Sequence, residues 1–363
     1  MQRDVVKIDL PALRAYAVTR TLFQPVDLAA AIETLGFVQI DPIRAPARAQ
    51  DLILRHRVGG YRAGDLASRF ATLPLAEDFV HVYGVLPETS LRLLHPRRRY
   101  RTWRVEREHP RLARKILDHV SRSGPAHPRD LTRALGSTRV INGWGGSSAA
   151  TTRMLEALQY RGLLRVVRRE NGVKVYGLAP PLDEALPLAA RADQILRMLV
   201  RLYAPLSVSS LRQLAVMVGE DSLPEPTRSR AIMRLLKTDW LARGTADGVE
   251  YVWPSEEIMS NEAPMRVKLL APFDPIVWDR RRFEHLWQWD YRLEAYTPPA
   301  KRRYGYYALP LLWRDRVIGW ANVARYGTRL DLRTQFVEKK PGSVRFAQEL
   351  EREVDALESS LSL

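Results

Sequence analysis

The sequence predicts an α+β chain in which helical modules repeat before a strand-rich end. Three helices closed by a turn-marked hairpin occur twice between residues 106 and 256. From Met265 onward the texture changes to aromatic and β-branched runs with close turns, and an amphipathic stretch over 343–359 closes the chain. At 363 residues the chain exceeds one compact core and should divide into several domains.

The first module, within 1–105, is the least regular. Helices over 11–20 and 26–35 precede a short strand carrying Gln39 and Asp41; a further helix starts at Pro42, with no clear wing. The second, 106–182, opens with Arg111-Leu112-Ala113-Arg114-Lys115-Ile116-Leu117, whose apolar residues fall at helical spacing. Pro125 and Pro128 interrupt before a short helix over 129–135. Ser147 and Ser148 offer an N-cap to a third helix with Met154, Leu155 and Leu158 inward. Two β-rich runs, 163–167 and 173–176, flank Asn171-Gly172, a dipeptide that suits a tight hairpin because both turn positions take positive φ. The third module, 188–256, repeats the order: helices over 192–202, 209–218 and 227–237, then 241–243 and 249–252 turned by Asp247-Gly248. Three helices closed by such a hairpin describe a winged helix, so tandem winged-helix (helix-turn-helix) domains are expected. Segment 263–363 reads as a β-barrel-like domain, with strands over 304–313, 317–324 and 328–336 turning at Arg314-Asp315 and Tyr326-Gly327. Its closing helix turns Phe346, Leu350, Val354 and Leu357 inward. Linkers fall near 180–188 and 255–264.

The formal net charge is +16, a surplus that favours nucleic acid or an anionic membrane over a neutral metabolite. Of the 57 basic residues 49 are Arg, whose forked guanidinium suits bidentate phosphate contacts. A GC-rich genome accounts for the Arg preference equally well, but not for the surplus. The absence of Cys excludes disulfides, thiolate ligands and a Cys nucleophile, and it fits a reducing compartment. No apolar leader follows Met1-Gln2-Arg3-Asp4, and no stretch approaches ~18 uninterrupted apolar residues. A cytoplasmic protein without a membrane partner is expected.

Candidate chemistry gathers at Gln39-Ile40-Asp41. In an extended segment residues i and i+2 share a face, so an amide and a carboxylate project together. Such a pair can hold one water between a positioning group and a base. Asp before Pro42 is equally the start of a helix, with Asp as N-cap and Pro at the first position, and the two roles can coexist. The helix so capped would carry Arg44, Arg48 and Arg55 on one face, a cationic stripe suited to a phosphate backbone. Ile43, Ala47, Leu54 and Val58 would lie opposite. Arg98 and Arg101, in a basic run interleaved with Tyr100 and Trp103, fit either backbone contacts or an ordinary solvated face. Ser148, Thr151 and Arg153 open a helix able to touch phosphate, although winged helices also serve as plain scaffolding. Arg280-Arg281-Arg282 either face DNA or flank Trp278, Phe283, Trp287 and Trp289, an aromatic cluster read as core. The seven His show no metal-ligand spacing, and no cofactor is implied. Gly143-Trp144-Gly145-Gly146 lacks the Lys and spacing of a phosphate loop and reads as a turn.

Leu35-Gly36-Phe37-Val38-Gln39-Ile40-Asp41, followed by Ala47-Arg48, Leu52-Ile53-Leu54 and Arg57, resembles the signature of the AlkX/YcaQ group of winged-helix DNA glycosylases. That group is related to the AlkZ self-resistance glycosylases, whose motif is Gln-x-Gln. The third position here is Asp41, which places the chain with the AlkX-like branch. The resemblance continues through Pro272-Phe273-Asp274-Pro275-Ile276-Val277-Trp278-Asp279-Arg280 and Glu294-Ala295-Tyr296-Thr297-Pro298, and so spans nearly the whole chain. It implies tandem winged helices and a β-barrel around a DNA-sized cleft, excision of N7-alkylated purines and unhooking of interstrand crosslinks. The partner would be double-stranded DNA carrying such adducts, met by a monomer associated with the nucleoid during repair.

The chemistry follows from the residues. A purine alkylated at N7 is cationic and leaves as a neutral base, so it needs little help from a general acid. A carboxylate at Asp41 would stabilise the oxocarbenium-like sugar and accept the proton of the attacking water, which Gln39 would orient. No Lys lies near the motif after Lys7, so a monofunctional enzyme leaving an abasic site is expected. A base tethered to the opposite strand cannot swing into a deep pocket, which calls for an open cleft. The alternative of another class is a winged-helix transcriptional regulator without catalysis.

Overall fold

The computed structural model of the chain describes residues 6–361 apart from 98–101, 137, 142–144, 182–185, 261, 328 and 338. Arg98 and Arg101 therefore lie outside the described residues, as does part of the glycine-rich turn at 143–146. The chain forms two units, one comprising 1–66, 196–214 and 232–363, the other 67–195 and 215–231. No described helix is long and apolar enough to cross a membrane.

The first unit opens with the helices Leu10–Leu22 and Leu28–Leu35, each started by an aspartate whose carboxylate accepts backbone N–H bonds. Asp9 caps the first and Asp27 the second. Gly36 stops the second helix at φ 70°, a left-handed position that a side chain rarely adopts. The chain then turns through buried Phe37 and Val38 into the two-residue strand Val38–Gln39.

The helix expected from Pro42 does not form there. Residues 42–48 are irregular, and the helix runs from Ala49 to Leu54 with every residue buried. Pro46 supplies the reason: it has no N–H for a helical ladder, and its ring keeps Ala45 out of the α region. Asp41 still acts locally, accepting the Ile43 N–H at 2.9 Å, but it caps a turn rather than a helix. Arg44, Arg48 and Arg55 consequently do not share a helical face. Arg44 sits in the loop, Arg48 precedes the helix and Arg55 follows it.

Two sheets complete this unit. In the first, Val6–Lys7 runs parallel to Leu241–Ala246, which pairs antiparallel with Val249–Pro254, itself joined to Leu206–Ser207. Asp247 and Gly248 take φ 45° and 78° in the hairpin, as expected of that dipeptide. In the second, Val267–Leu269, Leu309–Trp313, Arg316–Tyr326 and Arg329–Phe336 form an antiparallel meander. Among the described residues this sheet is open rather than a closed barrel. Phe283, Leu286, Trp287, Trp289, Tyr291 and Trp320 pack into one apolar core with Tyr16 and Trp253, so most of the aromatic cluster is interior as expected.

The closing helix Val344–Ser360 packs on the meander, where Phe346 meets the rings of Trp313 and Phe336. Its inner face differs from the expected apolar stripe. Phe346 and Leu357 are buried, Leu350 and Val354 only half so, and Glu349 and Glu353 take the intervening interior positions. Cationic partners make that tenable: Glu353 meets Arg55 at 2.6 Å, and Glu349 accepts from Arg352 at 2.6 Å.

The second unit contains the helices Pro110–Ser123, Pro128–Leu135 and Ala150–Tyr160, then the hairpin Leu164–Glu170 and Val173–Leu178. Asn171 and Gly172 turn that hairpin at φ 50° and 84°. Ile116, Val120, Leu131, Met154, Leu155, Leu158 and Val175 are buried. One local expectation fails. Ser147 and Ser148 belong to a short strand, Ser147–Ala149, paired with Arg139–Ile141, and Ala149 precedes the third helix without a side-chain cap. A second hairpin, Leu75–Phe79 with Tyr83–Pro87, was not foreseen.

Candidate active site

The two halves of the resemblance, far apart in sequence, meet in the first unit. Arg57 grips Asp274 through two parallel bonds of 2.7 and 3.0 Å, both side chains being buried. Asp274 also accepts the Ile276 N–H at 3.0 Å and so caps the short helix Pro275–Trp278. Below that helix the fully buried Arg282 donates to the carbonyls of Tyr203, Pro275 and Ile276. The helix thereby fixes Trp278, whose ring packs on Tyr203 with centroids 5.4 Å apart. The Trp278 indole N–H donates to the Gln39 Oε1 at 2.7 Å. Because indole nitrogen can only donate, the Gln39 carbonyl must face it, and the amide NH2 is left for other partners.

Asp41 lies two residues on and is 8% exposed. Burial pushes its carboxyl above the ordinary aspartate range, and the Ile43 N–H pulls it partly back. The Gln50 Oε1 accepts from the Asp41 backbone N–H at 3.4 Å, a long contact that ties the loop to the helix Ala49–Leu54. The Asp41 charge is felt by Tyr296 and Tyr307.

Those tyrosines come from one loop that a single carboxylate organises. Glu294 accepts from the backbone N–H groups of Arg303, Tyr304 and Gly305 at 2.9, 2.6 and 3.1 Å. Burial would raise its pKa, but the three amides hold it below the usual range. Gly305 is required: its φ is 113°, and a Cβ there would stand 2.3 Å from the Asn322 Oδ1. The loop presents Tyr296 (82% exposed) and Tyr306 (44% exposed) beside a surface groove of about 290 Å³. Ala45, Tyr306, Tyr307, Asn322 and Arg333 are among the residues lining it. Asp41 is buried, and Ala45 of the loop that follows it lines this groove together with Tyr306 and Tyr307.

The remaining candidates scatter. Arg44 is exposed in the 42–48 loop and Arg48 half-buried. Arg55, with its side chain 3% exposed, bonds Glu353 and the Leu269 carbonyl inside the protein and is too buried to meet a phosphate. In the second unit Thr151 is 1% exposed and shares a hydrogen bond of 2.7 Å with Thr132, so it is interior. Ser148 is half-buried in its strand, and Arg153 pairs with Glu156 while lying 5.5 Å from the Trp103 ring centre. Arg281 is exposed, whereas Arg280 stacks over Tyr291 and donates to the Val277 and Pro272 carbonyls. Sequence reasoning missed Trp278 as the partner of Gln39 and placed it with the core instead. Its position inside the Pro272 to Arg280 block was the available signal.

Known proteins resemble this chain in family and in fold. A family model described as DNA glycosylase AlkZ-like matches residues 32–359. Among solved structures, the Streptomyces sahachiroi DNA glycosylase AlkZ is similar in fold, with a TM-score of 0.66 at 13% identity. The match covers 98% of this chain and 97% of that one.

Proposed function

The chain belongs to the AlkZ-like DNA glycosylase family, and from that premise we propose that it hydrolyses the N-glycosidic bond of N7-alkylated purines and unhooks interstrand crosslinks. The non-catalytic regulator considered from the sequence gives way to a DNA glycosylase. In this reading Asp41 takes the proton of the attacking water and stabilises the oxocarbenium-like sugar, and Gln39 positions the water. The observation that carries it is the Trp278–Gln39 bond of 2.7 Å, reached through Arg57 and Asp274. A buried ion pair, a capped helix and a donor-only indole together orient the Gln39 amide, two residues before Asp41 in the chain, which supports a pre-organised site.

The raised Asp41 pKa supports a base role, because a stronger conjugate base takes a proton more readily. The groove is bounded by exposed side chains, which suits a substrate that cannot be fully extruded. We read the helix-helix-helix-hairpin orders as winged helices within the four segments expected from the sequence, and the open meander as the barrel-like part. For the DNA face we retain Arg44 and Arg48, with Ser148 and Arg153 in the second unit, and add Arg333 at the groove. Arg55 and Thr151 are set aside because they are buried.

The test incubates the protein with duplexes carrying N7-methylguanine or a nitrogen-mustard crosslink and compares it with Asp41→Asn and Gln39→Ala. Base release should fall by roughly 10²–10⁴-fold in Asp41→Asn. Release untouched by both substitutions would remove the proposed site. The abasic strand should stay intact, and borohydride should trap no enzyme–DNA adduct; a trapped adduct would refute monofunctional hydrolysis.

A further inference from the structure

We propose that the Tyr307 hydroxyl is a third member of this site, the donor that holds the attacking water against Asp41. The inference rests on the role given to Asp41 above.

An orphaned polar atom motivates it. Tyr307 is 4% exposed, and its hydroxyl is buried without a hydrogen-bond partner among the described residues. Leaving a buried hydroxyl unpaired is costly, and proteins seldom keep one without a use. Phenylalanine would fill the same space without that cost. The position adds a second argument, because Tyr307 lines the groove beside Ala45, Tyr306 and Asn322. It also lies within reach of the Asp41 charge, which with burial makes the phenol harder to ionise. A phenol that keeps its proton serves as a donor.

A water entering between the two groups would accept from Tyr307 and donate to Asp41. Its free lone pair would then point at the sugar. The step balances: the water oxygen bonds to C1′, its proton passes to Asp41, and the C1′–N bond breaks. That bond's electron pair neutralises the departing cationic purine. Tyr307 keeps its own proton throughout.

The experiment measures single-turnover release of N7-methylguanine from duplex DNA by wild type, Tyr307→Phe, Asp41→Asn and the double variant. Each protein's Tm and DNA affinity are measured in parallel. Tyr307→Phe should slow base release on the order of 10–100-fold. Its DNA affinity should be unchanged and its Tm unchanged or higher, since an unpaired hydroxyl has been removed. The double variant should match Asp41→Asn alone, because both groups act on one water. Full activity in Tyr307→Phe beside an impaired Asp41→Asn overturns the Tyr307 assignment and leaves Asp41 standing. A fully active Asp41→Asn removes the Asp41 reading and this inference with it. A loss matched by lower Tm or weaker DNA binding marks Tyr307 as structural and also overturns the proposal, as would strictly additive losses in the double variant.

Discussion

Burial raises the Asp41 carboxyl above the ordinary aspartate range, while the Ile43 amide opposes the shift. A general base works only when ionised, so kcat/KM should fall as pH drops through that raised pKa. The acid limb should therefore lie above the range of an exposed aspartate, and a profile flat down to the ordinary aspartate range would contradict the base role. The stability sign is the reverse. A folded pKa above the unfolded one means the folded state holds the proton more tightly, a contribution complete below the unfolded pKa and lost as pH rises through the folded one. Wherever it is ionised the group is thus a liability, and Asp41→Asn should then unfold at the same Tm as the parent or higher. Gln39 offers a second test at this scale. Trp278→Phe deletes the indole donor and frees the amide to rotate, which should lower kcat by about 10-fold with substrate affinity retained. An unchanged kcat would mean that the 2.7 Å bond has no part in orienting Gln39.

Two elements differ from their local sequence signals for identifiable reasons. The segment 42–48 carries a convincing helix start, Asp41-Pro42, but Pro46 four residues later prevents the ladder from continuing. Weighing that second proline would have moved the helix to Ala49 and separated the three arginines. The helix Val344–Ser360 reads as amphipathic, yet its innermost positions include Glu349 and Glu353. Glu353 accepts from Arg55 at 2.6 Å and from the Leu269 backbone N–H at 2.8 Å, so it joins this helix to the meander and to the end of the helix Ala49–Leu54. Glu353→Ala would strand the Arg55 charge in the interior. It should cost about 3–5 kcal/mol, read by denaturant unfolding. A loss under about 1 kcal/mol, the scale of an exposed pair, would show that water reaches Arg55 freely. The hairpins at Asn171-Gly172 and Asp247-Gly248, by contrast, were legible, because those dipeptides encode positive φ; the hairpin Leu75–Phe79 with Tyr83–Pro87 turns without such a dipeptide and was not.

Across the whole molecule several arginines are engaged internally, while the basic surplus is untouched because each pairing also consumes a carboxylate. Arg55, Arg57, Arg97 and Arg161 are buried and paired with carboxylates, so the count of arginines overstates what is offered to a polyanion. The net charge of +16 is what remains after every such pairing. Binding to duplex DNA should therefore weaken with salt, log K falling against log[salt] by about 0.9 for each phosphate neutralised. Arg44→Ala, which removes an exposed cation from the loop after Asp41, should flatten that slope by about one contact while the fold is kept. A slope identical to wild type would exclude Arg44 from the DNA face.

Composition, the order of helices and hairpins, and the Gln39/Asp41 pair could all be read from the chain alone. Each depends on rules acting within a few residues: apolar period, turn dipeptides, and side-chain direction along an extended segment. The partner of Gln39 could not be read this way, since Trp278 lies 239 residues away. Nor could the unpaired hydroxyl of Tyr307 or the burial of Arg55 beside Glu353. Those juxtapositions arise when distant segments pack to bury apolar surface and leave each interior charge with a partner, a free-energy balance that belongs to the folded unit and to no single stretch of it.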